Sequence, residues 1–289
     1  MSQAVAAIPR KAAPAQLPFR ERAFENLLRA GGGFMYLLLY APIVLVVVYA
    51  FNESREVAVW RGLGLRWWGD TWGDESIRNA FVLSLWTATA NALLATTLGT
   101  AAAIGLRNVG KRTRTAFDVF MYTTLVVPEI VIAIGSLLFF ATWLPGLIGP
   151  PAIILTHAVF NTSVVTLICR ARLAGMDRSL EEASADLGAS RVGTFRQVTL
   201  PQLYPAIVAG MLLSFTFSFD DVVLSTFVTA AGSSTLPLEV FSELRFGLSP
   251  KANVIAATML GITLTLIVTS QILLRRGRSG ATPMLEVTR

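Results

Sequence analysis

Apolar residues fall along this chain in blocks, and six stretches are free or nearly free of charge: 34–51, 81–106, 119–143, 152–169, 205–229 and 252–274. A bilayer's hydrocarbon core, about 30 Å thick, needs about 20 residues of helix to cross it. The pattern therefore predicts six transmembrane helices and an all-α membrane protein. Residues 144–151, Leu-Pro-Gly-Leu-Ile-Gly-Pro-Pro, separate the third stretch from the fourth without a single charge and read as a hinge.

Composition agrees with the pattern. The 289 residues are 54% hydrophobic and 15% charged, with a mean hydropathy of +0.60, whereas a soluble chain carries roughly 25% charged residues. A single cysteine, Cys169, and a single histidine, His157, exclude a disulfide framework and the usual His/Cys metal cage, so no metal is expected.

The net charge of +6 gains meaning from its placement. Of the 24 Lys and Arg residues, 18 lie in segments 1–33, 107–118, 170–204 and 275–289, against 6 in the alternate segments 52–80, 144–151 and 230–251. By the positive-inside rule both termini face the cytoplasm. Basic residues that flank spans form no continuous patch for nucleic acid, and none is expected as a partner. Residues 1–33 are too long and polar for a signal peptide's n-region and read as a cytoplasmic tail before an uncleaved anchor. Phe19, Ala23, Leu27, Phe24 and Leu28 recur there at helical spacing beside Arg20, Arg22 and Arg29, which suits either an interfacial helix or a disordered tail. The expected organisation is a tail (1–33), a transmembrane domain (34–274) and a second cytoplasmic tail (275–289).

No Lys or Arg lies inside the six stretches, yet Glu129 lies in the third and Asp220 and Asp221 in the fifth. A carboxylate at the centre of a span costs about 2.5 to 3.5 kcal/mol on insertion scales. Compensation comes from water in a cavity, from bound protons or from a cationic cargo. At 1.5 Å per residue Glu129 lies roughly 15 Å from the start of its stretch and Asp220 roughly 22 Å from the start of its own. Ser214, Ser218, Asp221 and Ser225 recur at steps of 4, 3 and 4 on one helix face, while Asp220 points about 100° away, so the two aspartates are expected to have different roles. Pro128 leaves the carbonyl of Thr124 without its usual donor beside Glu129. The alternative is that these acids only bond neighbouring helices. Tyr40, near Pro42, offers either a cation–π face or ordinary packing. His157 and Asn161, one helical turn apart, read as interhelical hydrogen-bonding residues.

Segment 170–204 has helical grammar of its own. Ser179-Leu-Glu-Glu182 is a capping box, Gly188 suits a helix C-cap, and a second short helix carrying Val192, Phe195 and Val198 is expected to stop at Pro201. Such a helix pair between two spans is either a docking element or a passive connector. Gly105-Leu-Arg-Asn-Val-Gly-Lys111 satisfies the first part of a phosphate-binding loop, but Arg112 stands where Ser or Thr would hold Mg²⁺, and no strand precedes it. Nucleotide binding by this chain is therefore not expected.

The run Glu182-Ala183-Ser184-Ala185-Asp186-Leu187-Gly188, nine further residues, then Val198-Thr199-Leu200-Pro201 resembles the EAA motif of ABC importer permeases, with Ser184 and Val198 as departures. The resemblance implies a type I ABC importer permease fold, six transmembrane helices with a cytoplasmic coupling helix-turn-helix, in which Ser179, Glu182, Ala183, Gly188, Leu200 and Pro201 belong to the contact with a cytoplasmic ATPase. Residues 218–228, 235–238 and 246–250, together with Pro128-Glu129 and Tyr40-Ala-Pro42, are similar to the spermidine/putrescine permeases. That likeness implies a bacterial inner-membrane subunit paired with a second permease, an ATPase dimer that uses ATP and Mg²⁺, and an external polyamine-binding protein. It also implies a substrate pathway containing Glu129, Asp220, Asp221 and Tyr40, with no cofactor and no enzymatic site in the chain. Segment 52–80, with Trp60, Trp67, Trp68 and Trp72, reads either as a dock for the binding protein or as a set of interfacial tryptophans. The rival readings are a permease for another cationic or small solute and a proton-coupled secondary carrier.

Overall fold

The computed structural model describes residues 19–56, 59–230, 232–246 and 249–279. In chain order the helices are α1 (Phe19–Tyr49), α2 (Arg66–Gly73), α3 (Glu75–Gly105), α4 (Lys111–Val126), α5 (Glu129–Trp143), α6 (Pro150–Ala174), α7 (Ser179–Asp186), α8 (Arg191–Thr194), α9 (Leu200–Phe219), α10 (Val223–Val228), α11 (Leu236–Phe246) and α12 (Pro250–Ser279). Among the described residues five continuous helical stretches, within α1, α3, α6, α8–α9 and α12, are long and apolar enough to cross a membrane, and the bent pair α4 and α5 passes the same test only when its two helices are taken together. The chain divides into two compact units, one ending at Val48 and the other beginning at Tyr49. In the first, α1 runs unbroken through residues 31–33, where the sequence had suggested a boundary, and the rings of Tyr36 and Tyr40 stack at 6.3 Å. The side chains of Phe19 to Phe24, on which the interfacial face rests, the tail beyond Ser279, and residues 247 and 248 of the permease-like run all lie outside the described residues.

In the second unit α3, α6 and α9 form the central trio. Their contact surfaces are small: Ala88, Ala92, Ala95, Gly99 and Ala103 of α3 are buried, and a β-carbon placed on Gly99 would come within 2.7 Å of Val165 and 2.9 Å of the Thr162 carbonyl. Lipid tails are as apolar as leucine, so helices in a membrane associate through close packing and hydrogen bonds rather than hydrophobic segregation. Val165, Cys169, Leu203 and Ala206 fill the junction near the α7 end, while Ile77, Ala88, Phe219, Leu236 and Ile255 fill the opposite end. Large apolar side chains such as Val82, Leu93, Phe120, Val126, Leu138 and Trp143 are exposed, as a surface solvated by lipid requires.

Two of the predicted spans are broken. The third turns by 105° between α4 and α5. Pro128 disfavours helical geometry at Val127, which is extended (φ −61°, ψ 130°), and the Pro128 carbonyl starts the next helix by accepting from Val131 at 2.9 Å. The fifth ends as α9 at Phe219 and resumes as the short α10 at Val223. Ser214 and Ser225 are therefore not on one continuous helix.

The segment between α6 and α9 also departs from its sequence reading. Ser179 does not cap α7; Asp177 does the equivalent work two residues earlier, accepting from the Ser179 N–H at 2.9 Å. That backbone bond holds the Asp177 carboxyl below the usual aspartate range. Gly188 does end α7: at φ +82° it completes a Schellman turn, with Gly188 N–H bonded to the Ala185 carbonyl and Ala189 N–H to that of Ser184. Pro201 does not stop the following helix. Residues 195–199 widen into a π turn that accommodates the ring of Pro201, and one helix continues from Arg191 to Phe219.

In segment 52–80 the tryptophans hold the segment together. Trp67 Nε1 donates to the Ser54 carbonyl at 2.9 Å, Trp68 packs on Phe51, and Trp72 meets Phe81 edge-on. Asp74 caps α3 through the Ser76 N–H and pairs with Lys251 at 2.8 Å; the Lys251 bond is the main cause of its lowered pKa.

Candidate functional site

Both helix breaks open onto one cavity of about 790 Å³ against α6. Pro128, Glu129 and Ile132 line it from the α4–α5 break, Thr216, Asp220 and Asp221 from the α9–α10 break, and His157, Phe160 and Asn161 from α6. No Lys or Arg is among the lining residues. The three intramembrane acids of the sequence are thus brought together. Tyr40 belongs to the α1 unit, where its ring is exposed.

Each carboxylate has its own surroundings. Glu129 is the first residue of α5. A helix's first N–H groups are unpaired within it and its dipole is positive at that end, which offsets part of the cost of a membrane carboxylate. Glu129 is close enough to Asp221 and His157 to interact with both electrostatically. Asp220 ends α9, its N–H bonded to Thr216 at 3.0 Å, and its carboxylate has no hydrogen-bond or ion-pair partner among the described residues. Asp221 is 8% exposed and fully engaged: it accepts from Leu224 N–H at 3.3 Å, from Ser225 N–H at 2.8 Å, and lies 3.2 Å from His157 Nε2. The two aspartates thus have different surroundings, and Asp221, with no Lys or Arg in the six stretches to meet it, has the His157 ring instead.

That partner is a residue the sequence indicated only as a structural hydrogen-bonding group. His157, 2% exposed, places Nδ1 2.7 Å from Ser218 Oγ. One turn on, Asn161 Nδ2 approaches the Ser214 carbonyl at 3.4 Å, and Asn91 of α3 donates to the same carbonyl at 3.1 Å. The i, i+4 spacing of His157 and Asn161 was the available signal; it gave the α6–α9 contact but not the link to Asp221. Among the described residues no group of three or more His, Cys, Asp or Glu side chains is arranged to hold a metal ion.

A second region lies beyond the other end of α6. Arg107, just after α3, makes a bidentate pair with Glu181 of α7 at 3.0 and 2.9 Å, and Thr199 donates to Glu181 at 2.8 Å. The Arg107 guanidinium holds the Glu181 carboxyl below the usual glutamate range. Ser184 and Thr194 hydroxyls meet at 3.0 Å across the turn, and Arg170 pairs with Asp118. Behind α7 is a cavity of about 490 Å³ that includes Arg107, Arg178, Glu181, Glu182 and Arg191. Glu182, Ala183 and Gly188 face outward and Leu187 is 90% exposed, an unusual position for a leucine in a polar turn. The Arg107 anchor was not read from the sequence, where Arg107 was counted only as a flanking charge.

Residues 95–276 match the family described as the binding-protein-dependent transport system inner membrane component. The chain belongs to that family. It is a permease subunit of an ABC importer and a multi-pass inner-membrane protein. The putrescine transport system permease protein PotI of Escherichia coli (strain K12) is 40% identical over 233 residues, covering 78% of this chain and 83% of the relative. The spermidine/putrescine transport system permease protein PotC of the same organism is 35% identical over 261 residues, covering 89% and 97%.

Among solved structures, a bacterial ABC transporter involved in the import of the acidic polysaccharide alginate superposes with a TM-score of 0.70 at 15% identity, over 89% of this chain and 98% of that one. The MetNI methionine ABC transporter, in an inward-facing conformation, gives 0.57 at 18% identity, over 71% and 99%. At such identities the likeness shows the fold alone. The matched region of the permease spans both helix breaks, α6 and the α7–α8 segment, so the acidic cavity and the anchored loop belong to the family portion of the chain.

Proposed function

We propose that this permease forms the pathway for a polyamine, putrescine or spermidine, and that Glu129 and Asp220 are the side chains that receive its ammonium groups. The observation that carries the reading is a cavity of about 790 Å³ between two broken helices, containing three carboxylates and no Lys or Arg. In a low-dielectric setting unneutralised carboxylates are costly, and a cargo with two or more positive charges compensates them where a neutral or anionic one cannot. The curated relatives whose names carry putrescine or spermidine support the same cargo class. The alginate transporter's similar fold leaves cargo choice to the lining.

In this reading the importer pairs the chain with a second permease, a cytoplasmic ATPase dimer and an external binding protein. ATP and Mg²⁺ are used by the ATPase, and this chain holds no cofactor. The termini and α7–α8 face the cytoplasm, as the basic-residue asymmetry supports. Glu182, Ala183 and Gly188 contact the ATPase, with Ser179, Leu200 and Pro201 belonging to the framework of that contact. The pairing of Glu181 with Arg107 carries its motion into α3. The cavity lies roughly 25 Å from this loop along α6, so the coupling is mechanical rather than by direct contact.

The test is uptake by the complete reconstituted transporter carrying Glu129→Gln or Asp220→Asn. Loss of a charge-assisted hydrogen bond, about 1.5 to 3 kcal/mol, gives a fall in kcat/KM for putrescine of roughly 10- to 100-fold. Unaltered kinetics in both variants contradicts the assignment.

A further inference from the structure

The cation pathway proposed above gives His157 no task, yet this buried ring spends both nitrogens on the α9–α10 break. Nδ1 is 2.7 Å from Ser218 Oγ, and Nε2 is 3.2 Å from Asp221 Oδ2 and 3.5 Å from Ser225 Oγ. We propose that His157 is a positioning residue of the cation site, holding Asp221 against α10 while the ring is neutral, and that a proton on the ring competes with the ammonium cargo. The inference rests on the cation reading and deepens it.

Its first part follows from donor and acceptor accounting. Asp221 accepts the Leu224 and Ser225 N–H groups. A neutral His157 with its proton on Nε2 supplies a third donor to that carboxylate, and its bare Nδ1 accepts the Ser218 hydroxyl. Asp221 is then committed to the protein, Glu129 lies against Asp221 at the cavity wall, and Asp220 is the carboxylate that has no partner among the described residues. The division of labour between the adjacent aspartates is thus set from α6, by a residue 63 positions before Asp220 in the chain.

The second part follows from what protonation would change. A proton on Nδ1 reverses one hydrogen bond: the ring donates and Ser218 Oγ accepts, while the serine's own proton competes with Asn91 and Asn161 for the Ser214 carbonyl one turn back. The ring keeps its place between Ser218 and Asp221 as it charges. What changes is the cavity's charge. The ionisable groups around the ring are Asp221 and Asp220 at the α9–α10 break and Glu129 at the start of α5. The other packed elements place no ionisable group in the cavity lining: α3 carries Glu75 and Arg78, in its first turn, α4 carries Lys111, Arg112, Arg114, Asp118 and Tyr122, α9 carries Tyr204, near its start, α10 has no ionisable side chain, and Cys169, Arg170 and Arg172 of α6 itself lie more than three turns on. A positive ring among three carboxylates takes up attraction that the cargo would otherwise use. By linkage, a cargo that binds only the neutral-ring form binds more weakly as the ring takes up a proton.

The experiment is radiolabelled putrescine uptake by the complete transporter in proteoliposomes between pH 5.5 and 8, comparing the parent with His157→Gln and Ser218→Ala. Taking the ratio of variant to parent at each pH cancels whatever the binding protein contributes. For the parent, kcat/KM is expected to fall about tenfold or more as the pH drops across this range. His157→Gln, which hydrogen-bonds but cannot charge, is expected to start about threefold lower at pH 7.5 and to lose that fall; a purely structural role would lower the curve without changing its shape. Ser218→Ala keeps the ring and removes the Nδ1 partner, so its midpoint is expected to move. A His157→Gln profile parallel to the parent's overturns the proposal, as does an unmoved Ser218→Ala midpoint should the glutamine variant fail to assemble. A parent that takes up no polyamine at any pH overturns the cation reading and this proposal together.

Discussion

At the scale of single residues, the permease separates acids that hold structure from acids that are open. Asp221, Asp177, Asp74 and Glu181 each satisfy backbone amides, a base, or both. Glu129 and Asp220 instead look into the cavity. Glu181 permits a prediction with a definite sign. Its pairing with Arg107 lowers its folded-state pKa, so the stabilisation is fully present above the ordinary glutamate value of about 4.3 and is lost as pH falls through the lowered folded value. At neutral pH the anchor is intact, and Arg107→Gln is expected to raise amide hydrogen exchange across residues 179–199 several-fold while leaving that of α3 near its parent rate. Equal protection in variant and parent would show that the pair holds nothing. The acids themselves were legible in the sequence, because a carboxylate in an apolar run is conspicuous. Their partners were not: the bond from Asp221 to His157 joins residues 64 positions apart, and no local pattern encodes it.

At the scale of elements, the six apolar blocks marked where the long apolar helices lie but not their shapes. A hydropathy run reports length and composition, and a helix broken at Pro128 or after Phe219 has the same run as a straight one. Pro128 did mark its break in the sequence. The α9–α10 break carries no proline or glycine, and its local determinant is Asp221, whose carboxylate accepts from the first N–H groups of α10. The reverse error occurred at Pro201, where a π turn absorbs the ring and the helix runs on. The α3–α6 contact is the packing element most sensitive to volume. Gly99→Ala would set its new methyl 2.7 Å from Val165 Cβ and 2.9 Å from a backbone carbonyl, forcing the helices apart at a cost of about 1–3 kcal/mol. A lowered thermal midpoint of the purified complex in detergent is the expected result, and an unchanged midpoint would mean that this helix pair yields freely.

At the scale of the whole molecule, the chain has two working regions, joined by α3, α6 and α9: a carboxylate cavity where helices break, and a loop pinned by Arg107 and Glu181. In the proposed reading a separate ATPase supplies the drive, and force applied at the loop must reach a cavity it does not touch. The most direct measurement is ATPase activity of the complete reconstituted complex with its binding protein, titrated with putrescine and spermidine alongside neutral and anionic solutes of similar size. The account expects saturable stimulation by the polyamines, weakened about tenfold or more in apparent affinity by Glu129→Gln together with Asp220→Asn, and none by the anions. Stimulation by an anionic solute, or indifference to polyamines in the parent complex, would contradict it.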